Sequence, residues 1–227
     1  MKQHLYIILL CALFCFASCD KGMYDVSGEF YRRPEDLYLG TVDSVKAWTG
    51  YKKVKLYWKV KSDPRITKTV IYWNNRTDST LVEAKSPENG IQSYELGISN
   101  LMEKDYSFEL QTKNNNGLFS LPKQIAITVL GDDYVNGLKN RSIAKITKKS
   151  NGEVLIDWNP IASADIVYTL IRYEDQSGQQ TYRVKNDEMQ TKLVNPVVEK
   201  GLQISTCFFP KGTLDTLFSN EQKFLIQ

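Results

Sequence analysis

Histidine is almost absent from this sequence. Its one copy among 227 residues is His4, which lies in an apolar amino-terminal segment. A mature chain that has lost this segment contains no histidine, which excludes Ser-His and Cys-His nucleophiles and histidine ligands for zinc. We therefore expect a protein that is not an enzyme and that carries no metal and no cofactor.

Cysteine is scarce as well. Two of the four cysteines, Cys11 and Cys15, lie in the same amino-terminal segment, and Cys19 and Cys207 remain. If Cys19 is acylated, one thiol is left and no internal disulfide can form. Cys207 lies in a strand-like run at 203–209, and we interpret it as a small buried apolar residue.

An excess of charge of either sign is lacking too. The formal net charge is +3, and removal of residues 1–18 takes away one lysine and leaves 28 basic against 26 acidic residues. This balance does not favour a nucleic-acid partner. A row of lysines alternates with apolar residues, which is typical of a solvated sheet face that discourages edge-to-edge pairing. The row consists of Lys53, Lys55, Lys59 and Lys61.

The apolar run at the amino terminus is short. It covers 5–16, whereas a helix that spans a bilayer needs roughly 20 residues. The run ends at Ala17-Ser18-Cys19, and small residues directly before a cysteine resemble the bacterial lipobox. We predict a lipoprotein signal peptide at 1–18, a lipidated Cys19 that makes the membrane a partner, and a flexible tether at 19–40. The alternative is a plain secretory signal with a cleavage site near a cysteine.

The predicted location is the cell envelope, as an outer-membrane lipoprotein exposed at the cell surface. Asp20 follows the cysteine. In some Gram-negative bacteria an aspartate at this position favours retention in the inner membrane. The motif therefore leaves the choice between the two membranes open.

Alternating apolar residues organise the region after the tether. In the stretch 53–60, Val54, Leu56, Trp58 and Val60 share one face, which is the period-two pattern of a half-buried strand. Similar signals recur about every ten residues, which favours an antiparallel β-sandwich. The seven predicted strands are 42–48, 54–60, 69–73, 80–84, 93–98, 106–112 and 124–130.

One spacing within these strands is more specific. Leu101 lies five residues before Tyr106, which opens a strand that alternates through Phe108. This resembles the tyrosine corner of sandwich domains, in which the phenol hydroxyl bonds a preceding backbone group. With Trp58 on the second strand, the segment 41–131 resembles a fibronectin type III module. The resemblance implies a core that includes Trp58, Val70, Tyr72, Tyr106 and Phe108.

The second half of the chain repeats the plan. A strand at 154–158 follows an Asn151-Gly152 hairpin turn, and its Trp158 lies one hundred residues after Trp58. Around 199–202 no tyrosine stands at the corner position. The repeat is therefore either degenerate or a different sandwich edge.

The predicted fold class is all-β, with two tandem immunoglobulin-like or fibronectin type III-like sandwiches. The first covers 41–131 and the second, more divergent one covers 132–227. Gly131-Asp132-Asp133 marks the boundary, and 134–141 is expected to connect the two.

Three segments of the first half carry a further resemblance. They are DSVKA at 43–47, SDPRITK at 62–68 and IYWNNRTDS at 71–79. They resemble a family of Bacteroidetes cell-surface lipoproteins whose domain has no known function, and TCFFPKGTLDTLF at 206–218 resembles the second sandwich of that family more loosely. The resemblance implies an accessory role in outer-membrane polysaccharide capture, with a glycan or an outer-membrane protein complex as partner. Some members continue into a discoidin-like domain, which we do not expect here because the sequence ends at 227.

The third strand suggests a binding face. If Val70 and Tyr72 point inward, Ile71 and Trp73 point outward, and an outward tryptophan suits stacking on a sugar ring or a partner protein. The alternative is that Trp73 is buried under the second sandwich or the tether. The predicted ligand-binding set is Ile71, Trp73, Arg76, Glu109, Gln111, Asn114 and Asn115.

A short motif predicts one modification. Asp43-Ser44-Val45, Asp78-Ser79-Thr80 and Asp215-Thr216-Leu217 resemble the Asp-Ser/Thr-aliphatic O-glycosylation motif of exported Bacteroidetes proteins. Ser79 lies in the most loop-like of the three, so we predict O-glycosylation there.

Three functions compete on this evidence. The expected one is a non-enzymatic, surface-anchored interaction module. A glycosidase needs paired carboxylates, but Asp157 lies in a core-like strand, and Glu95 and Glu109 lie on different strands with no supporting motif. The third is a structural spacer or an adhesin-like protein–protein module without glycan binding.

Overall fold

The computed structural model describes residues 38–85 and 90–226. The predicted signal peptide, the lipidation of Cys19 and most of the tether 19–40 lie outside the described residues. In these two ranges no helix is long and apolar enough to cross a bilayer. Leu39, near the end of the predicted tether, is 2% exposed, so the packed fold has begun by this residue.

Seven strands of the first half form two antiparallel sheets around one core. They are β1 Val42–Gly50, β2 Lys53–Lys61, β3 Lys68–Trp73, β4 Asp78–Glu83, β5 Ile91–Ser99, β6 Lys104–Lys113 and β7 Lys123–Val129. One sheet has the order β1-β2-β5 and the other β4-β3-β6-β7. Each predicted strand of this half coincides with an observed one, and the ends differ by at most two residues.

Eight strands of the second half form a similar pair of sheets. They are β8 Ile143–Lys148, β9 Glu153–Trp158, β10 Ile166–Asp175, β11 Gly178–Val184, β12 Gln190–Val194, β13 Leu202–Phe208, β14 Leu217–Phe218 and β15 Gln222–Phe224. One sheet has the order β12-β9-β8, and the other has β11-β10-β13-β14 with β15 also paired to β13. A short helix, α1 (Asp132–Gly137), covers Asp132 and Asp133 of the predicted boundary and the first half of the predicted connector.

The two halves share one strand order. In each, the first, second and fifth strands form one sheet and the third, fourth, sixth and seventh strands form the other, to which the second half adds its eighth strand. This is the fibronectin type III arrangement, so the predicted fold class is confirmed. The limits of the two domains at 41–131 and 132–227 stay predictions.

The alternation of β2 is confirmed. Val54, Leu56, Trp58 and Val60 are at most 6% exposed and belong to the core of the first sandwich. The Trp58 ring stacks on Tyr94 of β5 with 5.6 Å between ring centroids. Burial of each of these side chains contributes about 1.5–3 kcal/mol, which makes this strand a main source of stability.

The two tryptophans of the repeat are both buried, but their indole N–H groups differ in hydrogen bonding. The Trp158 indole N–H donates to Thr191 Oγ1 at 2.9 Å, whereas the Trp58 indole N–H has no partner among the described residues. Arg141 lies over Trp158, 5.4 Å from the ring centroid, and its Nε–H donates to the Asn159 main-chain oxygen at 3.0 Å. Burial lowers the pKa of Arg141. The end of the predicted connector is therefore part of the second core.

The predicted tyrosine corner has the expected buried residues but lacks the expected hydroxyl hydrogen bond among the described residues. Leu101 and Tyr106 are buried, and the Tyr106 ring stacks on Phe108 with 5.8 Å between centroids. The Tyr106 hydroxyl makes no hydrogen bond with any described residue. Burial of the ring is thus what this tyrosine contributes. Cys207 in β13 is fully buried, as predicted.

The lysine row of β2 is more covered than predicted. Lys61 is exposed, but the other three lysines are half-buried. Lys55 pairs with Glu95 of β5 at 2.7 Å, and Lys53 pairs with Asp215 of the second half at 2.7 Å. Part of this face is therefore a contact surface between the two halves.

Candidate functional site

The predicted orientation of β3 is wrong. Ile71 is fully buried beside Leu110 of β6, and Trp73 is half-buried with its ring 6.0 Å from that of Phe108. Val70 and Tyr72 lie on the opposite face of the sheet, where Val70 is buried as predicted and Tyr72 is half-buried, so Tyr72 is not a core residue. The residues of β3 are apolar on both faces, so alternation alone could not assign the inward side. The pairing with β6 assigns it.

Arg76 organises the outer face of the same sheet. Its guanidinium lies 5.1 Å from the centroid of the Tyr72 ring, pairs with Glu109 and donates to Gln111 Oε1 at 3.2 Å. Gln124 donates to the other carboxylate oxygen of Glu109 at 3.2 Å. These charged and amide groups therefore satisfy one another within the sheet surface.

The two asparagines of the predicted set lie elsewhere. Asn114 and Asn115 follow the end of β6, and Asn114 is five residues from Glu109, about 16 Å along the strand. Asn114 Oδ1 accepts the main-chain N–H groups of Asn116 and Leu118 at 3.0 and 2.9 Å, so it holds its own turn. Asn115 is exposed. The seven predicted residues do not form one surface, and ligand binding by those on the outer face stays a prediction.

Ser79 is exposed, as O-glycosylation requires. It lies within β4, paired with Tyr72 of β3, so the expectation that it is loop-like is wrong. Its modification stays a prediction.

The structure presents a second candidate, a groove where the two halves meet. The loop between β13 and β14 crosses onto the turn between β1 and β2. Leu214 N–H donates to the Thr49 main-chain oxygen at 2.7 Å, and Thr49 and Thr213 form a parallel bridge. The open space beside this contact is about 720 Å³. We call it the junction groove, defined by Tyr51, Lys53, Phe209, Leu214, Asp215 and Phe218.

Apolar side chains of the junction groove are exposed. Tyr51, Phe209, Leu214 and Phe218 are 40%, 50%, 37% and 39% exposed. The three aromatic rings come from two separate parts of the chain. An exposed aromatic ring that is held in place can bind a ligand with little loss of side-chain entropy.

Asp215 is the polar centre of the groove. One of its carboxylate oxygens accepts the Tyr51 main-chain N–H at 3.1 Å, and the other pairs with Lys53 at 2.7 Å. A Cβ added to Gly50 would lie 2.5 Å from Asp215, so the loop approaches the turn closely because a glycine is there. The carboxylate thereby links the β13–β14 loop to the first sandwich.

Asp132 at the start of α1 holds the other side of Tyr51. It accepts the Tyr51 hydroxyl and pairs with Lys52 at 2.7 Å. These hydrogen bonds lower the pKa of Asp132 and raise the pKa of the Tyr51 phenol. Tyr51 is therefore held by its main chain and by its hydroxyl, with its ring left accessible.

The sequence interpretation did not identify this groove. Phe209, Leu214 and Asp215 lie in the segment TCFFPKGTLDTLF, whose family resemblance and glycosylation-like Asp215-Thr216-Leu217 motif do not point to a groove. The available signal was the pair Phe208-Phe209 at the end of a strand. Alternation places one of two such neighbours outside, and Phe208 is 6% exposed against 50% for Phe209.

Chemically, the groove is suited to binding. In the described ranges no group of three or more His, Cys, Asp or Glu side chains could hold a metal ion. The carboxylates predicted as weak glycosidase candidates are each engaged: Glu95 with Lys55, Glu109 with Arg76 and Asp157 with Gln190.

The sequence matches the DUF4998 family, a domain of unknown function, over residues 19–217. The chain belongs to this family. The DUF4998 match covers Tyr51, Lys53, Phe209, Leu214 and Asp215 of the junction groove, and Phe218 lies one residue beyond it. No curated protein matches the chain.

Two solved structures of fibronectin type III domains are similar to this chain at low sequence identity. A two-domain fibronectin type III segment from chicken tenascin is 12% identical with a TM-score of 0.32, over 81% of this chain and 99% of that one. The chicken CNTN1 FN1–FN3 domains are 15% identical with a TM-score of 0.33, over 82% of this chain and 68% of that one. At these values the likeness carries no argument about function.

Proposed function

We propose that this chain is a non-enzymatic binding module, held at the cell envelope by a lipid on Cys19 and accessory to polysaccharide capture at the outer membrane. The observation that carries the proposal is the junction groove. Two sandwiches bonded to each other present exposed aromatic side chains around a paired carboxylate. Such a combination suits recognition of a ligand.

The anchor is inferred from the sequence pattern at 16–19. A lipid on Cys19 would keep the folded part near the membrane, since Leu39, the first buried residue in the part of the chain that the structure describes, follows only twenty residues later. The surface-exposed outer-membrane location belongs to the proposal and requires its own measurement.

A binding role accords with the state of the acidic side chains. Glycoside hydrolysis needs two carboxyl groups that flank one bond, with one available as a proton donor. In the junction groove Asp215 is a lone carboxylate with Lys53 and Tyr51 as partners. This supports a module that holds its ligand without altering it.

The native lipoprotein tests the proposal. The full chain and a Cys19→Ser variant would be expressed in a Bacteroidetes host, labelled with a palmitate analogue and fractionated. We expect label and outer-membrane recovery for the wild type alone, with polysaccharide or outer-membrane proteins bound to it after mild detergent extraction. Equal release of both proteins into the soluble fraction would contradict the anchor.

The alternative, a spacer or a protein–protein module without glycan, is favoured by one observation. The bonds between the β1–β2 turn, α1 and the β13–β14 loop tie the two sandwiches together. Two sandwiches joined in this way would hold a bound protein at a fixed distance from the membrane without contacting a glycan. Recovery of membrane proteins without any associated polysaccharide would support this alternative.

A further inference from the structure

We propose that the junction groove binds a neutral sugar chain, with Phe209 and Phe218 as stacking surfaces and Tyr51 as a third. This inference rests on the proposed function and assigns its site and ligand class. It replaces the face around Trp73 that the sequence suggested, because Trp73 packs against Phe108 in the core of the first sandwich.

The aromatic rings meet the first requirement of sugar recognition, which is a flat apolar surface open to solvent. The rings of Phe209 and Phe218 are half and two-fifths exposed. Phe218 is supported edge-on by Tyr168, with 6.2 Å between ring centroids. Tyr51 is held by Asp132 and Asp215. The rings of Phe218 and Tyr51, held in this way, lose little freedom when a ligand stacks on them.

The charges of the groove point to a neutral ligand. Lys53 and Asp215 pair at 2.7 Å, and the second oxygen of Asp215 accepts a main-chain N–H. At the edge of the groove Lys52 and Asp132 form another pair at 2.7 Å. Each positive charge faces a negative one, so an acidic ligand gains no net attraction. Hydroxyl groups of a sugar can still share the remaining lone pairs of the carboxylate.

The size of the apolar patch argues against a protein occupant. Side chains of this kind have about 200 Å² of surface each, so four of them with 37–50% exposed offer about 300 Å². A stable protein–protein interface buries about 800 Å² on each partner, of which roughly 450 Å² is apolar, so the patch falls short of that area. The patch is large enough for one or two sugar rings and the groove is open, which admits a chain that continues on either side.

Affinity electrophoresis of the full-length lipoprotein in detergent tests this inference. Gels would contain β-glucan, galactomannan or amylopectin as neutral probes and polygalacturonate as an acidic probe. The variants are Phe209→Ala and Phe218→Ala, with Tyr182→Ala as matched control. Tyr182 is an aromatic residue on β11, 38% exposed and outside the groove. We expect each groove variant to bind the retained neutral probe about tenfold more weakly and the control to bind like the wild type.

A second pair of variants separates ring stacking from general apolar contact. Phe209→Tyr keeps the ring and should retain binding, whereas Phe209→Leu keeps apolar area and should lose it. Thermal unfolding of every variant checks that the fold is intact. Binding should be nearly the same at low and high salt, because no net charge is involved.

The possible results separate failure of the proposed glycan capture from failure of the junction groove as its site. No retention of the wild type by any neutral probe would overturn glycan capture and this inference together. Retention of the wild type that persists in Phe209→Ala and Phe218→Ala would overturn the groove and leave glycan capture standing. Preference for polygalacturonate with strong salt dependence, or full binding by Phe209→Leu, would overturn the assignment to neutral sugar rings.

Discussion

A single carboxylate, that of Asp63, shapes the turn between β2 and β3. It accepts the main-chain N–H of Arg65 at 3.0 Å and two guanidinium N–H groups of the same residue at 2.9 and 2.8 Å. The Asp63 main-chain oxygen accepts the Ile66 N–H at 3.0 Å. The side-chain bonds from Arg65 lower the pKa of Asp63 to about 2. The turn therefore depends on the ionised form.

The first prediction concerns acid stability. The folded-state pKa of Asp63 lies below its ordinary value of 3.8, so its contribution is complete above pH 3.8 and is lost as the pH falls towards 2. We expect Asp63→Asn to lower the free energy of unfolding by about 1–2 kcal/mol at pH 7, and by progressively less on acidification. Urea unfolding at several pH values measures this. Asp187→Asn, at an exposed turn, is the control; a loss that is independent of pH would contradict the prediction.

The second prediction concerns Trp73. Its ring packs on Phe108 at the edge of the first core, so Trp73→Ala should lower the free energy of unfolding by about 2–4 kcal/mol through lost burial and an unfilled space. Trp73→Phe should lose less. Thermal unfolding gives the stability, and affinity electrophoresis of the folded variant gives the binding. A variant with wild-type stability and abolished glycan binding would restore the site suggested by the sequence.

At the scale of elements, the segments 43–47, 62–68 and 71–79 are places where the backbone departs from regular strand. DSVKA contains a bulge in β1, with Ser44 at a φ of 51°. SDPRITK is the turn held by Asp63. IYWNNRTDS includes the β3–β4 hairpin, in which three consecutive residues other than glycine have positive φ. Such conformations need particular residues, which is why these segments stand out in the sequence.

The third prediction tests this hairpin. Asn75 is exposed, has a φ of 54° and lies between Asn74 and Arg76, whose φ values are 49° and 65°. Asn75→Gly should leave the free energy of unfolding unchanged or slightly raised, because glycine adopts this region freely. Asn75→Val should lower it by about 1–2 kcal/mol. Chemical denaturation of the two variants measures their free energies of unfolding. Equal values would show that the positive φ at Asn75 does not determine the stability of the hairpin.

At the scale of the whole molecule, hydrogen bonds and ion pairs from several elements join the two halves. The β1–β2 turn supplies Tyr51 and Lys52, α1 supplies Asp132, and the β13–β14 loop supplies Leu214 and Asp215. Glu103, which precedes β6, also accepts the main-chain N–H groups of Asp133 and Tyr134 of α1 at 2.7 and 2.8 Å. Because each contact is made by hydrogen bonds of defined geometry, the contact specifies an orientation as well as an attraction.

The fourth prediction addresses this contact. Asp215→Ala removes the acceptor for Tyr51 N–H and the partner of Lys53, so the loop should open more often. We expect the Leu214 amide, bonded to Thr49, to exchange with solvent about fivefold faster, as loss of about 1 kcal/mol implies. Amide exchange followed by mass spectrometry measures this, with Asp187→Asn as control. Unchanged exchange at Leu214 would show that Asp215 does not hold the loop.

The sequence by itself determined whatever a few neighbouring residues can specify. Strict alternation assigned the faces of β2, because apolar residues alternate there with lysines and one tyrosine. Turn residues predicted the ends of the seven strands in the first half. The second half was only partly predictable. The burial pattern of β8 is irregular, and β12 alternates strictly but buries a threonine at one of its two inward positions, so its apolar periodicity is weak.

Only the tertiary structure decided which way β3 faces and where the junction groove lies. Both faces of β3 are apolar, so its inward side depends on its register with β6, a strand more than thirty residues later. The groove depends on Asp215 meeting Tyr51 across 164 residues of sequence. Contacts of this range follow from the packing of complete sheets, and no pattern within a single segment contains them.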